Sequence, residues 1–161
     1  MNPHKIAILV DSATDVPMDD IKAHGMYMVP LTVIYRDREY KDKLEISAQE
    51  VYDRLEEEVP RTSLPSSEDI MAAFEQIKQD GYTHAVVITI AGALSGTNNM
   101  MRLLAQEVEG LTIRVIDTLS IGFGAGTQAL LAAARIQAGD DFDTVCQTVE
   151  DSVKQSRVFF C

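Results

Sequence analysis

Small hydroxylic side chains gather directly after an apolar run in the segment AGALSGTNN, residues 91–99. The run HAVVITI before it predicts a buried strand, and the run MMRLLAQEV after it predicts a helix. Ser95, Gly96 and Thr97 therefore stand where a strand turns into a helix. We expect the N–H groups of Gly96 and Thr97 to be free there, and free donors and the helix dipole attract an anion. With the Ser95 hydroxyl beside them, these groups predict a binding site for a carboxylate or a phosphate.

Two further clusters of the same kind occur in the chain: DSATD with Asp11 and Ser12, and RTSLPSS with Thr62 and Ser63. In an open α/β sheet, ligands bind beyond the carboxyl ends of the strands. We therefore expect the three clusters to share one edge of the sheet. Each residue also has a purely local alternative. Ser95 can be only a helix N-cap, and Asp11 and Ser12 can merely tie down the first strand-to-helix turn.

Known enzyme patterns fit the segment poorly. A nucleophile elbow requires G-x-S-x-G, whereas GALSG places the serine one position late. No histidine follows His84, so a serine triad lacks a downstream base. The phosphate-binding pattern G-x-x-x-x-G-K-[ST] is absent. Hydroxyls without a base, a metal site or a cofactor motif favour binding over catalysis. A hydrolase or phosphotransferase that uses Asp11 and Ser95 and a protein-interaction module without a small ligand remain as alternatives.

The composition narrows the possible partners and the compartment. The formal net charge is −11, with 25 acidic against 14 basic residues, which argues against nucleic acid or an anionic membrane surface as partner. No apolar run approaches the roughly 20 residues that a membrane span needs. Cys146 and Cys161 form neither a disulfide framework nor a metal-binding spacing, so we expect a cytoplasmic protein.

The elements that must position these clusters alternate between strands and helices, which predicts a mostly parallel, Rossmann-like sheet with helices on both faces. Serine caps at Ser47 and Ser66 start two of the helices, and we interpret GFGAG (122–126) as a site of close helix packing. The predicted strands are 5–10, 84–90 and 112–117, together with an apolar stretch at 26–40 that Pro30 interrupts. The predicted helices are 16–25, 47–58, 68–80, 100–110, 122–138 and 142–156, and 60–69 is predicted to be a polar loop.

Five ordered motifs give the chain a specific resemblance that runs from about Lys5 to Cys161. They are ILVDSATDVP, VPLTVIY followed by EYKDK, PRTSLPSSED, LSGT and VIDTLSIGFGAG. In this order and spacing the chain resembles the DegV family of bacterial fatty-acid-binding proteins. The resemblance implies the two-domain EDD fold, in which residues 1–161 are the N-terminal domain and end at the interdomain crossover. The apolar ending SRVFFC predicts the start of another strand, which suggests a chain that continues past Cys161; the alternative is a complete domain whose last strand fills a sheet edge. We expect residues 158–160 to recruit other chains when left unpaired.

The resemblance further implies a ligand and its contacts. In the family a long-chain fatty acid such as palmitate places its carboxylate between the domains, and the matching hydroxyls here belong to Thr62 and Ser95. Its acyl chain lies in an apolar tunnel, and no cofactor is required. Some members present the bound acid to a separate fatty-acid kinase for phospholipid synthesis. After LSGT many members carry an aromatic residue, whereas this chain has Asn98.

Overall fold

Strands and helices alternate along the chain in the computed structural model, which describes residues 2–157. The strands are β1 Ile6–Asp11, β2 Tyr27–Val29, β3 Thr32–Ile34, β4 Glu39–Lys41, β5 Arg61–Ser63, β6 His84–Thr89 and β7 Thr112–Asp117. The helices are α1 Met18–His24, α2 Ala48–Arg54, α3 Ser67–Gln79, α4 Thr97–Ala105, α5 Phe123–Gln137 and α6 Phe142–Gln155. Most of the strand predicted to start in SRVFFC, residues 158–161, lies outside the described part of the chain.

Four parallel strands form the main sheet in the order β2-β1-β6-β7, and helices cover both of its faces. Successive residues of β1 point to opposite sides. Ile8 belongs to a core cluster shared with α5 and α6, whereas Leu9 belongs to a cluster shared with α3 and α4. Because both faces are covered, β1 and β6 are apolar except at their ends, which is why they read as continuous runs in the sequence. The edge strand β7 also carries the exposed Arg114 in its middle. The predicted fold class is confirmed.

A second, antiparallel sheet in the order β4-β3-β5 was not predicted. Its strand β5 occupies Arg61–Ser63, inside the segment that we expected to be a polar loop. Val33 of β3 pairs with Thr62, and Thr32 pairs with Ser63, so the strand exists because its backbone completes a ladder with β3. Three polar residues are too few to show the alternation of apolar and polar side chains that marks a strand in a sequence. The prediction of a loop is therefore wrong at these residues. This sheet fixes where Thr62 and Ser63 lie.

The helix starts predicted at Ser47 and Ser66 are confirmed by their hydrogen bonds, whereas α4 begins at Thr97, three residues before the predicted start. Ser47 and Glu50 form a reciprocal capping box at α2, and Ser66 Oγ accepts the Asp69 N–H at α3. Asp141 accepts the Thr144 N–H at α6 in the same way. The helix predicted over 47–58 is shorter than expected, since α2 ends at Arg54.

Gly126 of α5 confirms the close packing predicted for GFGAG. A Cβ atom at this position would lie 2.6 Å from the carbonyl oxygen of Thr14, a backbone atom in the turn after β1. Helix propensity alone would make Gly126→Ala stabilising by about 1 kcal/mol. We expect the opposite sign, a net loss of roughly 1–2 kcal/mol in the free energy of unfolding, because the overpacked turn must move. Chemical denaturation measures this change.

Ala134→Gly supplies the matched control for that experiment. Ala134 is an exposed position of the same helix, so the reverse exchange there reports propensity without a packing change. A Gly126→Ala protein that gains as much stability as Ala134→Gly loses would show that the turn and α5 are not tightly packed.

Candidate functional site

The loop that follows β6 and the end of β5 meet around a cavity of about 420 Å³. Four of the seven predicted ligand-binding residues line it: Thr62 and Ser63 from one side, and Ser95 and Gly96 from the other. The remaining lining residues are apolar: Ala13, Leu31, Leu64, Ile90, Leu94 and Ile121. The structure thus brings hydroxyl side chains from two of the three clusters to one place, and the third cluster, DSATD, contributes only Ala13. Thr97, Asp11 and Ser12 are buried and do not line the cavity.

Ser95 is half-buried in the cavity wall, two residues before the start of α4. Its Oγ accepts the N–H of Thr97 at 3.2 Å and lies 2.8 Å from Thr97 Oγ1. Gly96 itself occupies the N-cap position. The expectation that the Thr97 N–H is free is therefore wrong, because the Ser95 hydroxyl already bonds to it. Among residues 2–157 the Gly96 N–H has no hydrogen-bond partner, so it remains a donor at the cavity.

Asp11 and Ser12 lie at the end of β1 and bind the backbone of the cavity wall. Asp11 Oδ2 accepts the N–H of Ile90 at 2.9 Å, and Ser12 Oγ accepts the N–H of Leu31 at 3.0 Å. Both Ile90 and Leu31 line the cavity. The structure therefore gives these two side chains contacts to the wall, and their direct contact with a ligand remains a prediction.

The Asp11 carboxyl is buried and only partly satisfied. Its Oδ1 has no hydrogen-bond partner among the described residues. Burial raises the pKa of this carboxyl to about 6, although the Ile90 N–H, the nearby backbone N–H groups of Ala13 and Thr14 and the charge of Lys43 all favour its ionised form. A carboxyl that solvent does not reach is poorly placed to attack or protonate a substrate.

Asp117, at the end of β7, received no role in the sequence analysis. Both of its carboxylate oxygens lie 3.1 Å from the N–H of Gly92, and Oδ1 also accepts the N–H of Leu119 at 2.9 Å. The sequence does hold a signal for it. VIDTLS repeats the order of strand, aspartate and hydroxyl that occurs in ILVDSA.

The chemistry available at this cavity is hydrogen bonding to a polar group. In the part of the chain that the structure describes, the Ser95 hydroxyl bonds only to Thr97, with no histidine or carboxylate partner. Two other side chains that could in principle react do not line the cavity. Cys146 is buried, which raises the pKa of its thiol to about 12, and the His84 imidazole bonds to Thr83. Residues 2–157 contain no group of three or more His, Cys, Asp or Glu that could hold a metal ion.

Apolar surface adjoins the polar part of the cavity. A second cavity of about 500 Å³ shares Leu94 and Ile121 with the first. Leu94 and Leu119, which line this second cavity, expose 61% and 68% of their surface. Polar donors next to apolar walls suit a ligand with one polar end and a hydrocarbon body. None of the helices within residues 2–157 combines the length and hydropathy needed to cross a membrane.

Comparison with known proteins gives consistent matches. The family model described as "Uncharacterised protein, DegV family" matches residues 5–161. A DegV domain-containing protein of Clostridium acetobutylicum is 36% identical over 156 residues, which are 97% of this chain and 56% of that protein. The fatty acid-binding protein of Thermotoga maritima is 31% identical over 154 residues, covering 93% of this chain and 53% of that protein.

A solved structure has the same fold. The structure described as fatty acid binding of a DegV family protein from Thermus thermophilus superposes with a TM-score of 0.84 at 30% identity. The match covers 96% of this chain and 54% of that one. The chain therefore spans about half the length of the relatives it matches.

Proposed function

Because this chain belongs to the DegV family, we propose that it forms the carboxylate-holding half of a binding site for a long-chain fatty acid. One observation carries the proposal: Thr62 and Ser95, from separate segments of the chain, line one cavity whose other walls are mostly apolar. That the Thermotoga maritima relative is named a fatty acid-binding protein, and that the Thermus thermophilus structure is described by fatty acid binding, supports the choice of ligand.

The cavity gives each part of the ligand a separate role. The hydroxyls of Thr62 and Ser95 donate to the carboxylate, and Ser63 and the Gly96 N–H supply further donors. Each hydrogen bond to the charged group contributes about 1.5–3 kcal/mol and orients the acid. Burial of the hydrocarbon chain contributes about 0.8 kcal/mol per CH₂, so it supplies most of the affinity. Leu94 and Ile121, which border both cavities, are placed to contact the methylenes next to the carboxylate.

The function that we propose is binding and presentation rather than turnover. In this proposal the second half of a two-domain protein encloses the acyl chain, and palmitate is a fatty acid of suitable chain length. A cytoplasmic fatty-acid kinase then takes the presented carboxylate as its substrate. The buried position of Asp11 supports a non-catalytic site, and so does the fact that, among residues 2–157, Ser95 Oγ has no histidine or carboxylate partner.

The experiment compares this chain with an extended protein, in which the chain is followed by the second half that its relatives carry. We expect the extended protein to bind palmitate and the chain alone to bind it weakly or not at all, because most of the affinity comes from enclosing the acyl chain. Titration calorimetry measures the affinity of each of the two proteins for palmitate and for the alcohol of equal length. Equal, tight binding of palmitate by the two proteins would contradict a site shared between two halves. No binding by the extended protein would contradict the proposed ligand.

A further inference from the structure

The loop of residues 90–96, which carries Ser95, is held by hydrogen bonds to three consecutive N–H groups. Ile90 donates to Asp11 Oδ2 at 2.9 Å, Ala91 donates to the Ser120 carbonyl at 2.7 Å, and Gly92 donates to the Asp117 carboxylate at 3.1 Å. The two aspartates end β1 and β7, the strands on either side of β6. A carboxylate from each neighbouring strand thus fixes the first turn of the loop.

Gly92 allows one of these bonds to form. A Cβ atom at this position would lie 2.8 Å from Asp117 Oδ2, closer than real contacts permit. Any larger residue would push the carboxylate away from the N–H that it accepts. The obstacle is the end of a flexible side chain, so the carboxylate can swing aside without a shift of the backbone core.

The fixed turn connects directly to the proposed ligand contact. The carbonyl oxygen of Ala91, the middle residue of the turn, accepts the N–H of Leu94 at 2.9 Å and the N–H of Ser95 at 3.2 Å. The position of Ser95 therefore depends on where residues 90–92 are held. Neither aspartate lines the cavity, so both act through the backbone.

We infer that Asp11 and Asp117 form an aspartate clamp, meaning these two side chains with their bonds to Ile90 and Gly92, which positions Ser95 for the ligand. The inference rests on the proposed function for the identity of that ligand, and on the hydrogen bonds alone for the positioning. Asp11, Asp117 and Gly92 are positioning residues, whereas Ser95 touches the acid.

Gly92→Ala in the extended protein tests the clamp through binding. We expect its affinity for palmitate to fall roughly tenfold, the effect of one misplaced hydrogen bond to a charged group. The affinity for the alcohol of equal length should change much less. In a Ser95→Ala background, Gly92→Ala should have no further effect on palmitate, because the clamp acts through that hydroxyl. Independent, additive losses in the two variants would overturn this mechanism.

Asp117→Ala and Asp117→Asn provide a second test of the same bond. Alanine removes the acceptor and should reproduce the loss of palmitate affinity, whereas asparagine keeps one acceptor oxygen and should restore part of it. Asp141→Ala is the matched control, since that carboxylate also accepts one backbone N–H, at the start of α6. It should lower the thermal midpoint and leave palmitate affinity unchanged. An equal loss of affinity in Asp141→Ala would show that general destabilisation, not the clamp, causes the effect.

Amide hydrogen exchange in the ligand-free chain separates the clamp from the proposed ligand. Gly92→Ala should speed exchange at Leu94 and Ser95, whose N–H groups depend on the fixed turn, and leave exchange in β1 and β6 unchanged. Unchanged exchange at Ser95 would overturn the clamp even where palmitate binds. Failure of the extended wild-type protein to bind palmitate would instead overturn the proposed function, and the exchange result would still decide the clamp.

Discussion

Replacing Asp11 with asparagine is expected to change the pH dependence of folding by about 2–3 kcal/mol between about pH 4 and about pH 7.5. Burial raises the pKa of the Asp11 carboxyl to about 6 from 3.8, so the folded chain binds a proton at this site where the unfolded chain has lost it. The stability that this proton gives is present at low pH and is lost as the pH rises through about 6. Asparagine does not titrate and removes that slope.

The difference between two unfolding profiles measures the effect. Wild type and Asp11→Asn are denatured chemically at a series of pH values, and the free energy of unfolding of wild type is subtracted from that of the variant. We expect the difference to rise in favour of the variant as the pH increases towards neutrality. Any constant cost of the amide, such as a poor fit of its NH₂ group near Ala13, shifts the whole curve without changing its slope. A flat difference would mean that the Asp11 carboxyl has the same pKa in the folded and unfolded chain, and would contradict the effect of burial.

Asp141→Asn is the matched control, because its carboxylate has the opposite behaviour. The side chain and backbone of Thr144 hold the pKa of Asp141 below its ordinary value. A lowered carboxyl pKa gives stability that is present above the unfolded pKa and lost as the pH falls. The difference profile of Asp141→Asn should therefore move in the wild type's favour as the pH rises towards the unfolded pKa of 3.8, and stay nearly flat between about pH 4 and about pH 7.5, where that of Asp11→Asn rises.

The parts of the fold that were predictable are those in which a single segment carries the whole signal. The strands β1 and β6 are apolar except at their ends because both faces of the sheet are covered there. The caps at Ser47, Ser66 and Asp141 need only a residue and its neighbour three positions later. By contrast, β5 owes its existence to the partner strand β3 and has no pattern in its own sequence.

The same distinction applies to the site, where some features follow from a single segment and others depend on distant residues. The rule that ligands bind at the carboxyl ends of strands predicted that three hydroxylic clusters would share one edge of the sheet. The structure places Thr62 and Ser95 at one cavity, although Thr62 reaches it from β5 of the second sheet. Asp117 escaped notice because its role depends on a glycine that follows a different strand. The Thr97 N–H, which was expected to be free, donates to the Ser95 hydroxyl. Residue types alone do not reveal this local hydrogen bond. Pairings between distant segments and competition between neighbours are the information that a linear pattern lacks.

Ser95→Ala and Thr62→Val, made in the extended protein, are expected to weaken palmitate binding by roughly 1–3 kcal/mol each, the cost of leaving a buried charged acceptor short of a donor. Both substitutions delete a hydroxyl with little change in volume. The alcohol of equal length should be nearly indifferent, since it carries no charge for these donors to stabilise. Because the two hydroxyls share one carboxylate, the double variant should lose less than the sum of the single losses.

The hydrogen bond between Ser95 and the Thr97 N–H makes a second explanation testable on the same proteins. A serine that only supports the start of α4 would lower the free energy of unfolding by about 1 kcal/mol on mutation and leave the ratio of acid to alcohol affinity unchanged. Ser66→Ala calibrates that outcome, because Ser66 caps α3 through the Asp69 N–H and does not line the cavity. We expect Ser66→Ala to lose stability alone, Thr62→Val to lose mainly acid affinity, and Ser95→Ala to lose both. An unchanged acid-to-alcohol ratio in both Ser95→Ala and Thr62→Val would place the carboxylate somewhere other than this cavity.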